Sequence, residues 1–506
     1  MTLPVRRHYP AMMRGRCAFV LGVTLAFPFA SARGPIVPYC RKQHHIDVML
    51  VPTVDATDDT PKRELRVLAF GGKGKLGKGP ATMLNDLWTL HVTNTGFEWR
   101  EMHPTGDLPA PRWKFGASVV NYNNNSAPGY MIYGGDCELG VQSNFLDDLW
   151  LYSPGSSPRG GSWQQLHKKG HDPEKRRGHA QVFTQSGTLI VQGGKLLDSD
   201  TDSSPDLFTL DLRSASAKWA MRSPLPAESR WGHTLTYVRS PGLLARTGLV
   251  EAAIVYGGRR YDKGDDEFHY YSELWAYSPA DDSWLPIPVG GDFGNGTLSV
   301  ASAASATSAT DSVGGDEGSE TNTGGGGGGG GGDSADFVEP TPRDHHAAAY
   351  VAELDALFVS AGRYTELMVP PLDDMWSFSF KDFKWRRHAP AHGSAPPGPR
   401  FGHDMVVWRG GAGDGAPALI VFGGETISSW SRDYLLNDVW LYDPAGDSWR
   451  QISRSDCSVG ATGQLALQLV DLWAFAVLGG IVAVIGVSLC VYHACRKRPV
   501  QYVAIA

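Results

Sequence analysis

The chain has 506 residues, with 46 Lys and Arg against 53 Asp and Glu and a formal net charge of −7. That length allows several domains of ordinary size, so length alone does not fix the architecture. The charge is modest and no long basic stripe runs through the sequence, which excludes nucleic acid as a partner.

The N-terminus reads as a secretory signal peptide over residues 1–32. Arg6, Arg7, Arg14 and Arg16 give a basic start, Cys17 to Ala30 form a short apolar core, and Ala30-Ser31-Ala32 fits small-residue cleavage. The apolar stretch is short for a membrane span and is broken by Pro28.

From residue 38 to 452 one unit is copied six times. A glycine pair marks five copies, at Gly71-Gly72, Gly134-Gly135, Gly193-Gly194, Gly257-Gly258 and Gly423-Gly424, and Ala361-Gly362 takes its place in the other. The steps are near-equal, with one stretched between the fourth and fifth copies. Periods of this size mark propellers or solenoids. The sixth copy shows the unit plainly. It runs from Arg400-Phe401-Gly402-His403 through Asp404–Trp408, Ala418–Gly424 and Asn437–Asp443 to Ser448–Ile452. Its apolar pieces are short, rich in Val, Ile and aromatics, and bounded by turn residues, as strands are. Four strands per copy make one blade of an antiparallel propeller.

The other copies align with it. Trp88, Trp150, Phe208, Trp275, Trp376 and Trp440 share one position, and Trp99, Trp163, Trp219, Trp284, Trp385 and Trp449 another. An Arg-x-x-His stretch opens five copies, at Arg41/His44, Arg176/His179, Arg230/His233, Arg343/His346 and Arg400/His403. Copy two has Arg112 with Phe115 in the histidine place. Ile46 to Val51 supply the first strand of copy one. The glycine pairs are expected at strand ends, where positive φ and close approach to the next blade are needed. The tryptophans are expected to fill the wedges between blades, each contributing about 2–3 kcal/mol of burial. The histidines read as framework, hydrogen-bonded between blades rather than gathered on a metal ion.

This pattern resembles the kelch repeat, in the variant with Arg-x-Gly-His, Gly-Gly and Asn-Asp-Leu-Trp. The resemblance covers residues 38–452 and implies a six-bladed β-propeller. The expected fold is therefore all-β, a six-bladed kelch β-propeller with one C-terminal transmembrane helix.

Residues 289–339, between blades four and five, are rich in Gly, Ser, Thr, Ala and acids and include nine consecutive glycines, Gly324 to Gly332. Such a composition builds no core, so a disordered insertion is expected. Asn295 opens one N-glycosylation sequon there, and Asn124 another in blade two. A juxtamembrane stalk follows over 453–471. Residues 472–492 carry no charge, which suits a single span. Arg496-Lys497-Arg498 then mark residues 493–506 as a cytoplasmic tail. In that tail Tyr502 and Ile505 fit the Tyr-x-x-apolar pattern read by clathrin adaptors, and the tail resembles those of lysosome-associated membrane proteins. The expected product is a single-pass type I glycoprotein of the plasma membrane or of endosomes and lysosomes.

Cys40 precedes the first strand of blade one and Cys457 follows the last of blade six. A closed ring brings those ends together, so a Cys40–Cys457 disulfide is expected, with Cys137 left over. The loop Asp198–Asp202 has alternating carboxylates but lacks the later calcium ligands. No nucleophile elbow, phosphate loop or catalytic carboxylate pair is present, so neither cofactor nor metal is expected and the chain reads as a non-enzyme. The alternative is a propeller enzyme of galactose-oxidase type, but that family's copper site draws on further domains. What remains is recognition of a protein or glycan by the loops between strands two and three. The candidates are Lys73, Lys75, Arg259, Tyr261, Asp266, Trp430 and Tyr434.

Overall fold

The structure is a computed structural model. It describes residues 37–454 except for 55–60, 76–79, 94–95, 122–127, 138–142, 156–158, 168, 198–202, 215, 291–338, 367–368, 411–414 and 428–432. The chain divides into two compact units, Met1–Ile36 and Val37–Ala506, and everything described belongs to the second.

Six blade sheets follow one another, and in each four antiparallel strands pair in chain order from the inner strand to the outer. The first and third carry a fifth short strand, Cys40–Lys42 and Lys169–Gly170, the latter parallel to its neighbour. The inner strands are His45–Val54, Gly116–Val120, Ala180–Phe183, Thr234–Val238, Ala347–Val351 and Asp404–Trp408. Second strands are buried along their length because sheets stack on both their faces. Gly129–Asp136 and Ala252–Tyr256 have no exposed residue, and they read as continuous apolar runs for that reason. In the outer strand Gly161–Leu166 only Trp163 is buried.

Each outer-strand tryptophan reaches into the blade before its own. Trp163 lies 5.0 Å from Phe70, Trp219 5.6 Å from Tyr133, Trp385 5.1 Å from Tyr256 and Trp99 4.9 Å from Phe422, centroid to centroid. All four partners directly precede a glycine pair. The pair itself has two jobs. A Cβ on the first glycine would meet the next blade's ring, at 3.0 Å from His179 for Gly134 and 2.6 Å from His346 for Gly257. A Cβ on the second would meet its own blade's histidine, at 2.7 Å from His233 for Gly258. So the glycines and histidines of the repeat are sterically matched. The expected hydrogen bonds between blades form at His179, which accepts from the Gly116 N–H at 3.1 Å, and at His346, 3.0 Å from the Thr234 hydroxyl.

The pair is not always at a strand end. In blades one, two, five and six the second strand runs through it, with a register shift between Phe70 and Gly72, Tyr133 and Gly135, Ser360 and Gly362, and Phe422 and Gly424. These are bulges, which positive φ permits without ending the ladder. Lys73 and Lys75 consequently sit on a strand, Pro61–Lys75, and not in a loop. One helix, Pro241–Thr247, interrupts blade four. Ser240 caps it by accepting from the Leu243 N–H, and buried Leu243 anchors it.

Each blade is a consecutive stretch of chain, so blades six and one share no strand. Their seam is closed by the Gln43 N–H to the Gly402 carbonyl at 2.6 Å, the Ile46 N–H to Asp404 at 2.8 Å, the Asn437 amide to the Pro38 carbonyl at 3.0 Å, and a Lys42–Glu425 ion pair. Cys40, buried at this seam, is disulfide-bonded to a partner beyond the described residues. Reduction of the purified chain is expected to lower its stability by about 2–4 kcal/mol, read as a drop in urea midpoint with and without reductant.

Several expectations lie outside the described residues: the signal peptide, most of 289–339, Asn124, Asn295, Trp430, Cys457, the 472–492 segment, and Tyr502 with Ile505. Among the described residues no helix is long and apolar enough to cross a membrane.

Candidate functional site at the mouth of the central channel

The third residue of each Arg-x-x-His stretch, or its equivalent, stands on the propeller axis. Gln43, Lys114, Gly178, Gly232, His345 and Gly402 are joined in a closed circuit of backbone hydrogen bonds. The Gly402 N–H donates to His345, His345 to Gly232, Gly232 to Gly178, Gly178 to Lys114, Lys114 to Gln43 and Gln43 back to Gly402, over 2.6–3.2 Å. This circuit demands the left-handed conformation, and all six residues have it, with φ between 49° and 70°. Three are glycine, which adopts it freely. Gln43, Lys114 and His345 each carry a strain of about 1 kcal/mol instead. Between the inner strands lies a cavity of about 180 Å³, lined by this ring and the repeat histidines.

A collar of paired residues rims the ring. In every blade the residue after the repeat arginine bridges the residue after the glycine pair. The pairs are Lys42 with Lys73, Trp113 with Asp136, Arg177 with Lys195, Trp231 with Arg259, Asp344 with Arg363 and Phe401 with Glu425. Aromatics fall on blades two, four and six. Six cations face three anions, and Lys114 adds a seventh positive group.

The anions are already engaged. Arg177 binds Asp136 at 2.5 Å, Lys42 binds Glu425, and Arg259 and Arg363 share Asp344 at 2.9 and 3.0 Å. The Arg259 guanidinium also lies between the Trp231 and Phe268 rings, 4.0 and 4.2 Å from their centroids. Lys114 differs. Its ammonium sits 4.5 Å from the Trp113 ring and 4.8 Å from the Trp231 ring, and it pairs with no carboxylate among the described residues. Burial, then the Arg177, Arg259 and Arg363 charges, hold it well below the usual lysine range.

His345 is pushed down to about 3 by burial, against the pull of Asp344. Burial also opposes the Asp344 charge, but His345, Arg259 and Arg363 outweigh it and hold that carboxyl well below its usual range. Asp344 is therefore ionised and only accepts. Its oxygen lies 2.6 Å from His345 Nδ1, so Nδ1 carries the hydrogen and Nε2 carries a lone pair. Nε2 is buried without a hydrogen-bond partner, and so is the Gln43 side-chain oxygen.

Of the sequence candidates, the collar brings together Lys73 and Arg259. Lys73 lies 4.9 Å from the Trp113 ring. Lys75 stands opposite Cys40 in the register. Tyr261 and Asp266 belong to the hairpin Arg259–Asp262 and Glu267–Tyr270, where the phenol donates to the carboxylate. Tyr434 is exposed on the third strand of blade six, opposite Thr426. Sequence reading missed Trp113, Lys114, Trp231, Asp344 and His345 because they lie inside the repeat motif. The signal was available: three of six copies lack glycine at the third position.

If the ring tolerates these residues only under strain, Lys114→Gly should raise stability by about 1 kcal/mol. Urea denaturation of the variant checks this.

The family model of the KLHDC2/KLHL20/DRC7 Kelch-repeats domain matches residues 61–244 and 334–491. Among solved structures, one titled "Structure of YjhT" is similar at 12% identity and a TM-score of 0.46, covering 82% of this chain and 99% of that one. The repeat, the six sheets and this match agree, and the chain belongs to the KLHDC2/KLHL20/DRC7 Kelch-repeats domain family.

Proposed function

We propose that the chain is a membrane-anchored kelch propeller that binds a protein or glycan ligand over the mouth of its channel, on the lumenal or extracellular side. The collar carries this reading. The arginine, glycine and tryptophan framework recurs around the ring, while the six collar pairs are all different. Unrepeated charge on a rigid repeated scaffold is suited to recognition. The excess of cations favours an acidic ligand.

Three features support the membrane topology. An uncharged stretch over 472–492 is followed at once by Arg496-Lys497-Arg498, a signal-like segment begins the chain, and the Cys40 disulfide suits an oxidising compartment. The tail motif at Tyr502 and Ile505 would then direct sorting through a clathrin adaptor.

Proximity labelling around the full-length chain in living cells tests the binding reading. Lys73→Glu combined with Lys195→Glu reverses two collar charges. Loss of a defined set of labelled neighbours, with the melting temperature unchanged, is the expected result. An unchanged set would mean that the mouth is not the docking face.

A further inference from the structure

We propose that Gln43, Lys114 and His345 form an axial binding site for a uronic acid residue, taking its carboxylate and its hydroxyls. This deepens the reading of the mouth as the docking face and rests on it.

The three residues are those that replace glycine in the ring. Each brings a side chain with an open polar end. The Gln43 oxygen and His345 Nε2 are buried and unpartnered, and His345 is only 9% exposed. The Lys114 ammonium has two indole faces but no carboxylate among the described residues. A buried polar group without a partner is unfavourable, and so is a left-handed backbone at a side-chain-bearing residue. The backbone penalty falls at all three positions and an unpartnered buried atom at two of them, Gln43 and His345. A ligand that completes the hydrogen bonds accounts for the coincidence.

The open ends state what that ligand carries. Lys114 offers donors and positive charge, so it needs an anion. Nε2 and the Gln43 oxygen offer lone pairs, so they need O–H donors. A sulfate brings acceptors alone and leaves those two groups facing oxygen. A neutral hexose brings hydroxyls and leaves the ammonium unpaired. A uronic acid brings both on one ring, and Gln43, Lys114 and His345 all line the one cavity that would receive it. The cavity of about 180 Å³ takes a single sugar-sized group rather than a chain. An incoming carboxylate also offsets the burial and the Arg177, Arg259 and Arg363 charges that work against the Lys114 charge.

Titration calorimetry of the purified full-length chain in detergent with D-glucuronate tests the site. Binding of glucuronate is expected, with glucose and sulfate weaker by roughly tenfold or more. Lys114→Gly fits the ring's backbone and should fold, yet lose roughly tenfold or more in glucuronate affinity. His345→Ala should lose affinity as well. An oligosaccharide ending in glucuronic acid that binds tighter than the free acid identifies a glycan end as the source, whereas equal affinity identifies the free acid. Three results overturn the proposal: no heat with millimolar glucuronate, equal binding of glucose, or unchanged affinity in Lys114→Gly. Binding of an acidic peptide in place of glucuronate overturns the sugar assignment. If glucuronate fails while the Lys73/Lys195 variant still loses its neighbours, the axial site is wrong and the mouth reading stands.

Discussion

Arg400→Ala is expected to remove about 3–5 kcal/mol of stability, a large share of a typical folding margin of about 5–15 kcal/mol. The Arg400 side chain is almost fully enclosed. It donates to the carbonyls of Gly398 and Gly423, at 3.2 and 3.0 Å, and to both Asp438 oxygens, at 2.9 and 3.0 Å. Asp438 in turn accepts from the Trp440 indole at 2.7 Å. One guanidinium therefore ties the strand entrance, the glycine pair and the third strand together. Alanine would leave the Asp438 carboxylate buried without its counter-charge. Blade three supplies the control. Arg176 donates to the carbonyls of Glu174 and Gly193, at 3.0 and 2.8 Å, but bonds no carboxylate among the described residues. Arg176→Ala orphans no anion and should be the milder change. Urea midpoints at constant slope compare the two. Equal losses would show that the ion pair adds nothing beyond the backbone bonds.

Acid is expected to produce the second large effect. Burial, then the neighbouring repeat arginine in each case, pushes His179, His233 and His403 down to about 3. His44 and His346 are also held well below the usual range, chiefly by burial. The unfolded chain takes up protons near pH 6.5 and the native chain does not. The stabilisation is therefore complete above pH 6.5 and is lost as pH falls towards 3. At pH 5 the loss is at most about 2 kcal/mol per histidine, from 1.36 kcal/mol per pH unit. Even about half of that, summed over five histidines and His345, reaches the lower end of the folding margin. Asp47 and Asp404, raised by burial, work in the opposite direction, but only where they begin to titrate. A melting series from pH 7.5 to 4.5 should show a steep decline. His403→Phe, which copies the natural Phe115 of blade two, should flatten it. A level profile would mean that these rings reach water in the native state.

Much of this architecture was legible because a repeat shows its own constraints. The glycine spacing carried the blade count, and the Trp99-to-Trp449 series carried the wedge packing. The histidines read as hydrogen-bonded framework; His179 and His346 make such bonds between blades, and the His179 and His346 rings fill the space beside Gly134 and Gly257. The candidate site was less legible for the same reason. Lys114 and His345 lie inside a motif whose other members are structural, and only their backbone conformation separates them from the glycines. Strand continuation through Gly72 and Gly424 was hidden too, since a bulge and a strand end ask for the same residue. The Pro241–Thr247 helix is held by its Ser240 cap and by the Gly242 N–H bonded to Asp355 of the next blade, a tertiary contact that local patterning does not record.

The seam between blades six and one has a consequence for how such a chain can be rearranged. Since no sheet is completed by a strand from the far end, the six joints of the ring are alike in kind, and the chain ends simply occupy one of them. The long stretch after Ile287 already interrupts another joint, and the paired strands on either side of it keep their register. A circular permutant opened there, with the native ends of the propeller linked, should thread the same six sheets in a new order. Whole blades are thus the units in which this fold can be cut, joined or copied. The axial circuit of hydrogen bonds sets how many of them close the ring.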